Sequence, residues 1–137
     1  MENHVQKGHI VLTVKDLERS KGWYKNVFNF FNFKLAFEDE EKMYFSIDNF
    51  SLHLAVFQGH KEFVNDVFNR YRIGLHHLAI ATDSKEKVDH FYKHLLKNKV
   101  TITEPPQHYP DYGDELYYAV FFNDPDGLRL EVFFEKH

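Results

Sequence analysis

Gly-Leu-His-His-Leu-Ala-Ile-Ala-Thr, residues 74–82, is the segment from which the architecture of this chain can be worked out. A glycine followed by an apolar run of this length predicts a buried β-strand. Side chains alternate between the two faces of a strand, so we expect the two histidines to point in opposite directions. His77 shares its face with Ala79 and Ala81. It is therefore either a ligand at the rim of a cavity or an ordinary hydrogen-bonded core histidine.

Composition and charge narrow the class of protein. A chain of 137 residues with 43% hydrophobic and 28% charged residues is typical of one globular domain. The absence of cysteine excludes disulfides and thiolate metal sites. A net charge of −4 without a dense basic block argues against nucleic acid as a partner. Because neither a signal-peptide pattern nor a membrane-length apolar run is visible, we expect a cytoplasmic protein with no membrane partner.

The pattern of strands and helices is present twice along the chain. The first module, about residues 5–57, is predicted to contain strands at 8–15, 33–37, 42–47 and 51–57 and a helix from 16 to about 31. The second module, about residues 74–135, is predicted to contain strands at 75–82, 100–103, 116–123 and 128–135, a helix at 84–98 and a loop at 104–115. Residues 58–73 are predicted to form a helical linker inside this single domain of residues 1–137.

The register of the repeat follows from its two helices. Trp-Tyr-Lys at residues 23–25 matches Phe-Tyr-Lys at residues 91–93, an offset of 68 residues. That offset carries His9 onto His77, which makes His77 and not His76 the candidate ligand. Matching the apolar alternation of the last strands pairs His53 with Glu131.

Four residues therefore form a candidate site: His9, His53, His77 and Glu131. Glu131 lies between two apolar residues and is expected to point inward, where a carboxylate needs a partner. Imidazole nitrogens and a carboxylate are ligands for Fe(II), Mn, Ni, Co or Zn. A metal site is the interpretation we prefer over a carboxylate that is simply paired with a nearby histidine.

Three segments of the chain resemble the vicinal-oxygen-chelate superfamily of glyoxalase I, bleomycin resistance proteins and extradiol dioxygenases. They are Gly-His-Ile-Val-Leu-Thr-Val at 8–14, Gly-Leu-His-His-Leu-Ala at 74–79 and Asn-Asp-Pro-Asp-Gly-Leu-Arg-Leu-Glu-Val at 123–132. The resemblance implies an α+β fold of two βαβββ modules, whose mixed sheet forms an open cup around one divalent metal ion. It also implies ligands at His9, His77 and Glu131, with His53 at a more variable fourth position. Glu131 and His53 are then the catalytic candidates.

The resemblance leaves several activities open. We favour an enzyme with lyase or isomerase chemistry on a small substrate that chelates the metal through adjacent oxygens. An extradiol Fe(II) dioxygenase is less favoured, because the tyrosine of that signature is replaced by Phe121. A fosfomycin-resistance activity needs a cationic pocket, and Arg129 is expected on the face alternating with the ligands. A non-catalytic protein that sequesters a small molecule is the alternative from another class.

Two further expectations concern contacts made by the site and by the chain. Three tyrosines are candidates for contact with the substrate: Tyr109, Tyr112 and Tyr118. Because members of the superfamily commonly pair their modules and symmetric dimers are the commonest oligomers, we expect a homodimer.

Overall fold

The computed structural model describes residues 2–4, 7–47 and 52–136. These residues form eight β-strands, two α-helices and one 3₁₀ turn. The chain divides into two compact units, Met1–Asp66 and Val67–His137. Each unit has the element order βαβββ and one four-stranded mixed sheet, so the predicted α+β fold of two βαβββ modules is confirmed. Within the described ranges, no helical segment has the length and apolar character needed to cross a lipid bilayer.

The first unit places one helix against one face of its sheet. Its elements are β1 (Gly8–Val14), α1 (Leu17–Phe28), β2 (Phe33–Glu38), β3 (Lys42–Ile47) and β4 (Leu52–Gln58). The strand order is β1-β4-β3-β2, with β1 and β4 parallel and the other neighbours antiparallel. The side chain of Asp16 caps α1 by accepting a hydrogen bond from the backbone N–H of Arg19. Burial of Tyr24, Val27 and Phe28 then holds the helix in place.

The second unit repeats this arrangement. Its elements are β5 (Leu78–Ala81), α2 (Lys85–Lys97), β6 (Thr101–His108), β7 (Tyr118–Asn123) and β8 (Arg129–Phe134). The strand order is β5-β8-β7-β6, with β5 and β8 parallel. The turn between β7 and β8 is held by Asp124, whose Oδ1 accepts hydrogen bonds from two backbone N–H groups. Gly127 completes this turn at a φ of 84°, a conformation that favours glycine.

The predicted linker helix at residues 58–73 is wrong. Only a short 3₁₀ turn, Lys61–Phe63, is present in this segment. The apolar residues that suggested a helix, among them Phe63, Val67 and Tyr71, are exposed. A helix whose apolar face is not buried loses the packing that supplies most of its stability.

Three element boundaries differ from prediction by three residues or more. Helix α1 ends at Phe28 and not near residue 31, because the chain turns so that the Phe33 ring stacks on the Phe28 ring at 4.9 Å. Strand β5 begins at Leu78, three residues later than expected. Strand β6 continues through Pro105 and Pro106, which were predicted to lie in a loop. A sheet edge tolerates prolines because one side of the strand has no ladder to complete, and β6 is an edge strand with two register shifts.

Candidate functional site

A buried carboxylate is the centre of the candidate site in the second unit. Glu131 is 2% exposed and lies on β8 between Ala79 of β5 and Phe121 of β7. Its Oε2 is 2.9 Å from Nε2 of His77, and its Oε1 accepts a 2.5 Å hydrogen bond from the hydroxyl of Tyr117. Both oxygens of the buried charge are thus engaged by polar groups, which is what its burial requires.

Tyr117 is the site residue that the sequence interpretation missed. Burial raises the pKa of Tyr117, and its hydrogen bond to Glu131 raises it further, so the hydroxyl stays protonated and acts as a donor. The tyrosine chosen from sequence, Tyr118, instead donates a 2.6 Å hydrogen bond to Asp89 of α2. The pairing of β7 with β8 identifies Tyr117. Phe121 lies opposite Glu131, and counting back from Phe121 in steps of two, along the same face, reaches Tyr117.

The two adjacent histidines lie on one side of the chain, and the expectation that they point to opposite faces is wrong. Residues 75–77 precede β5 and follow Gly74, whose φ of 133° turns the chain, so strand alternation does not apply to them. Nδ1 of His76 is 2.7 Å from Nδ1 of His77. Desolvation lowers the pKa of His76, and the nearby imidazole of His77 and guanidinium of Arg70 lower it further.

A pocket of about 600 Å³ opens beside Glu131 within the second unit. It is lined by basic, acidic and aromatic side chains: Arg70, Tyr71, His76, His77, Glu104, Asp111, Tyr112, Tyr117, Phe121, Arg129 and Glu131. Its volume is that of a site for a small organic molecule. Because both polar and aromatic groups line it, the pocket offers hydrogen bonds and ring contacts to a ligand.

Arg129 belongs to this pocket, so the expectation that it alternates with the ligand face is wrong. It is two residues from Glu131 on the same strand and therefore shares its face. Its guanidinium carbon is 4.0 Å from the centre of the Phe121 ring, and Nη2 is 3.0 Å from Oε1 of Glu104. A 2.5 Å hydrogen bond from Tyr109 lowers the pKa of Glu104, and the bond from Arg129 acts in the same direction. Glu104 therefore balances the charge of Arg129 in place.

Two of the three candidate substrate tyrosines lie near this pocket. Tyr112 lines it, and Tyr109 stacks behind Tyr112 with ring centres 4.7 Å apart. The backbone of Gly113, which follows Tyr112, packs closely against the ring of Tyr117. A Cβ added at Gly113 would lie 2.9 Å from Cδ2 of Tyr117. A larger residue at this glycine would displace the Tyr117 ring that holds Glu131.

The first unit brings His9 and His53 together on one face of its sheet. The two residues lie opposite each other on the parallel strands β1 and β4. His9 is exposed, while His53 is half-buried with its ring 5.9 Å from that of Tyr44. Nδ1 of His53 accepts a long, 3.4 Å hydrogen bond from the backbone N–H of Ile47. In the neutral ring this leaves the proton on Nε2, where it would block coordination.

The strand registers identify which residue is the counterpart of Glu131. Helices α1 and α2 begin at Leu17 and Lys85, which confirms the offset of 68 residues. In the first unit Val11 lies opposite Ala55, and in the second unit the equivalent Ala79 lies opposite Glu131. Ala55 is therefore the counterpart of Glu131, and the pairing of His53 with Glu131 is two residues out of register. Apolar alternation has a period of two and cannot detect such a shift.

The pair in the second unit fits a divalent metal ion in both donor type and spacing. Ligand atoms at neighbouring positions on an octahedral ion with bonds of about 2.1 Å lie about 3 Å apart. Nε2 of His77 and Oε2 of Glu131 are separated by 2.9 Å, which is close to this spacing. Within either unit, the described residues contain no group of three or more His, Asp or Glu side chains arranged to hold an ion.

Comparisons with known proteins agree with this architecture. A sequence model of the glyoxalase/bleomycin resistance protein/dioxygenase superfamily matches residues 6–132. The chain is 31% identical over 131 residues to the uncharacterized protein YqjT of Bacillus subtilis, covering 90% of this chain and 94% of that one. It is 32% identical over 123 residues to the metallothiol transferase FosB of Lysinibacillus sphaericus, covering 90% and 77%. The structure of a putative glyoxalase from Bacillus halodurans superposes with a TM-score of 0.77 at 25% identity, covering 93% of each chain.

Proposed function

Because the chain belongs to the glyoxalase/bleomycin resistance protein/dioxygenase superfamily, we propose that it is a metal-dependent enzyme acting on a small substrate. The observation that carries this proposal is the buried carboxylate of Glu131 at the edge of the pocket. Its two oxygens face a histidine nitrogen and a tyrosine hydroxyl. A merely structural carboxylate has no need of a cavity in front of it, whereas a ligand that must admit a substrate does.

We propose His9, His77 and Glu131 as the ligands of one divalent ion, with Fe, Mn, Ni, Co and Zn as the candidate metals. These residue types suit all five metals. We leave His53 out of this set, because the strand pairing makes Ala55, and not His53, the counterpart of Glu131. On the same sheet face as His9, His53 is instead a candidate proton carrier.

The chemistry we favour is proton transfer beside a carbonyl, as in lyases and isomerases. A bound divalent ion polarises the substrate oxygens that chelate it. Tyr117 holds Oε1 of Glu131 and keeps the carboxylate directed at His77. The raised pKa of Tyr117 keeps its hydroxyl protonated, so at neutral pH it is a hydrogen-bond donor and not a base. Phe121 and Tyr112 line the pocket and offer aromatic contacts to a substrate.

A second candidate is group transfer to an anionic substrate of the fosfomycin type. The observations that favour it are the 32% identity to a metallothiol transferase and the presence of Arg70 and Arg129 in the pocket. Against it, Glu104 neutralises Arg129, and Nη2 of Arg70 is held by the Tyr71 hydroxyl at 2.6 Å. An epoxide-bearing phosphonate, offered with a thiol, tests this candidate directly.

Metal content is the first experiment. Elemental analysis of protein purified without chelators or a histidine tag should show about one divalent ion per chain. A chain that stays metal-free, and binds none of the five candidate metals when they are offered, would instead be the sequestering protein. The extradiol alternative is assayed with catechols and Fe(II) under air.

Hemithioacetals and other 2-oxo compounds, offered with Ni, Co or Zn, test the lyase or isomerase proposal. Turnover of these compounds without oxygen consumption is the expected result. Ring cleavage accompanied by oxygen uptake would identify a dioxygenase and overturn the preferred chemistry.

We also propose that the protein is a homodimer, since symmetric dimers are the commonest oligomers. Light scattering at micromolar concentration should give twice the chain mass, and a monomeric mass would contradict the proposal. The cytoplasmic location expected from the sequence stays a prediction, which cell fractionation checks.

A further inference from the structure

We infer that His76 positions His77 for metal binding by accepting a hydrogen bond from Nδ1–H of His77. The inference rests on the proposed metal site and goes beyond it, because it assigns a role to the histidine that is not a ligand. His76 is thereby a positioning residue and acts only through His77.

The distances in the second unit, combined with metal coordination through Nε2 of His77, define where the protons would lie. Nδ1 of His76 and Nδ1 of His77 are 2.7 Å apart, so one of these two nitrogens donates and the other accepts. On the other side of its ring, Nε2 of His77 faces Oε2 of Glu131 at 2.9 Å. Coordination through Nε2 needs the lone pair of that nitrogen, which places the ring proton of His77 on Nδ1. His76 must then accept at Nδ1 and carry its own proton on Nε2.

His76 is held where it can accept this proton. Its ring meets the Tyr71 ring edge to face, with centres 6.0 Å apart. Tyr71 in turn lies under the Arg70 guanidinium, whose carbon is 4.8 Å from the ring centre. Nη2 of Arg70 also contacts the Tyr71 hydroxyl at 2.6 Å. The ring of the acceptor is therefore in contact with a neighbouring ring, although the segment before β5 is irregular.

A partner of this kind is what a ligating histidine requires. Histidines that bind metals nearly always donate their second ring N–H to an acceptor, which fixes the tautomer and orients the ring. Among the groups facing His77, Glu131 lies on the Nε2 side and Phe121 contacts the ring at 6.1 Å between centres. His76 is the group placed at the Nδ1 side.

The test compares two substitutions at His76 with a control. His76→Leu removes the acceptor, whereas His76→Asn can place an amide oxygen near the position of Nδ1. His90→Leu, on the exposed surface of α2, is the matched control. Zinc and cobalt(II) affinities are measured by competition with a chelator, and circular dichroism checks that each variant is folded.

His76→Leu is expected to bind roughly 10–100-fold more weakly, in the range typical of a lost outer partner. His76→Asn should recover most of that loss, and His90→Leu should match the wild type. In the zinc-loaded wild type, ¹⁵N NMR of the imidazole rings should show His77 protonated at Nδ1 and His76 protonated at Nε2. If His76 had only a structural role, the amide oxygen of His76→Asn would not restore the affinity, and the ring protons of the zinc-loaded wild type would not follow this pattern.

The possible failures are distinguishable. If the wild type binds metal and His76→Leu binds it equally well, the positioning role is overturned while the metal site stands. If His76→Asn is as weak as His76→Leu, or if the tautomers are reversed, the acceptor role is overturned. If the wild type binds no metal, the proposed function falls and this inference falls with it.

Discussion

The two halves of the chain share a backbone plan but differ in their polar chemistry. In the first unit, His9 is exposed and His53 is half-buried beside Tyr44. In the second unit, His77 contacts a buried carboxylate that is also held by Tyr117, and a pocket opens in front of them. Equivalent positions on a repeated backbone therefore do not imply equivalent environments, because the counterpart of Glu131 is Ala55.

The sharpest test of this difference compares His77→Ala with His53→Ala. We expect His77→Ala to abolish tight metal binding, a loss larger than the roughly 10–100-fold effect of an outer partner. His53→Ala should leave the affinity unchanged within error, because His53 is not the counterpart of Glu131. Chelator competition with Co(II) measures both affinities. Equal losses in the two variants would show that both halves supply a ligand at these positions.

A second test compares a tyrosine from each half. Tyr117→Phe removes a donor from the buried carboxylate of Glu131 and should lower the free energy of unfolding by about 1–3 kcal/mol. Tyr44→Phe, on the strand next to Ala55, leaves no buried charge without a donor and should have a smaller effect. Urea denaturation of the two variants gives the comparison. A larger loss for Tyr44→Phe would contradict the assignment of the polar network to the second half.

The helix caps provide a test in which the halves should behave alike. Asp16 and Ser84 each accept a hydrogen bond from the backbone N–H three residues later, at 3.2 Å in both units. Asp16→Ala and Ser84→Ala should therefore each lower the unfolding free energy by about 0.5–2 kcal/mol. If only one substitution destabilises the protein, the two helix caps do not contribute equally to its stability.

The smallest effect concerns the pH dependence of two acidic side chains. The Tyr109 hydrogen bond lowers the pKa of Glu104 in the folded state, so its contribution to stability is present above the ordinary value of 4.5 and is lost as the pH falls. Wild type and Glu104→Gln should therefore differ at neutral pH and converge as the pH falls below 4.5 through the lowered pKa of Glu104. The Lys25 hydrogen bond likewise lowers the pKa of Glu38, but this group is fully exposed, and Glu38→Gln should change the profile less.

Urea midpoints measured across this pH range give both profiles. The same low-pH loss of stability in wild type and Glu104→Gln would show that Glu104 makes no such contribution.

Much of the fold was predictable from the sequence because it depends on local patterns. The apolar spacing of the strands and of the two helices is a property of short segments, and it predicted the βαβββ order. The prediction of a linker helix was wrong because residues 58–73 have helical spacing but no buried face, and burial is a property of the whole fold. The sequence predicted a loop where β6 continues through two prolines, because only the strand order shows that β6 is an edge strand.

The sequence by itself determined the family, the repeat offset of 68 residues and the inward position of Glu131, since these follow from motifs and from a polar residue on an apolar strand. Tertiary structure decided which residues meet that carboxylate. The pairing of β7 with β8 brings Tyr117, and not Tyr118, to Glu131. His76 contacts His77 because the chain is irregular before β5. A shift of two residues preserves every apolar pattern, so only the hydrogen-bonded register could show that Ala55, and not His53, corresponds to Glu131.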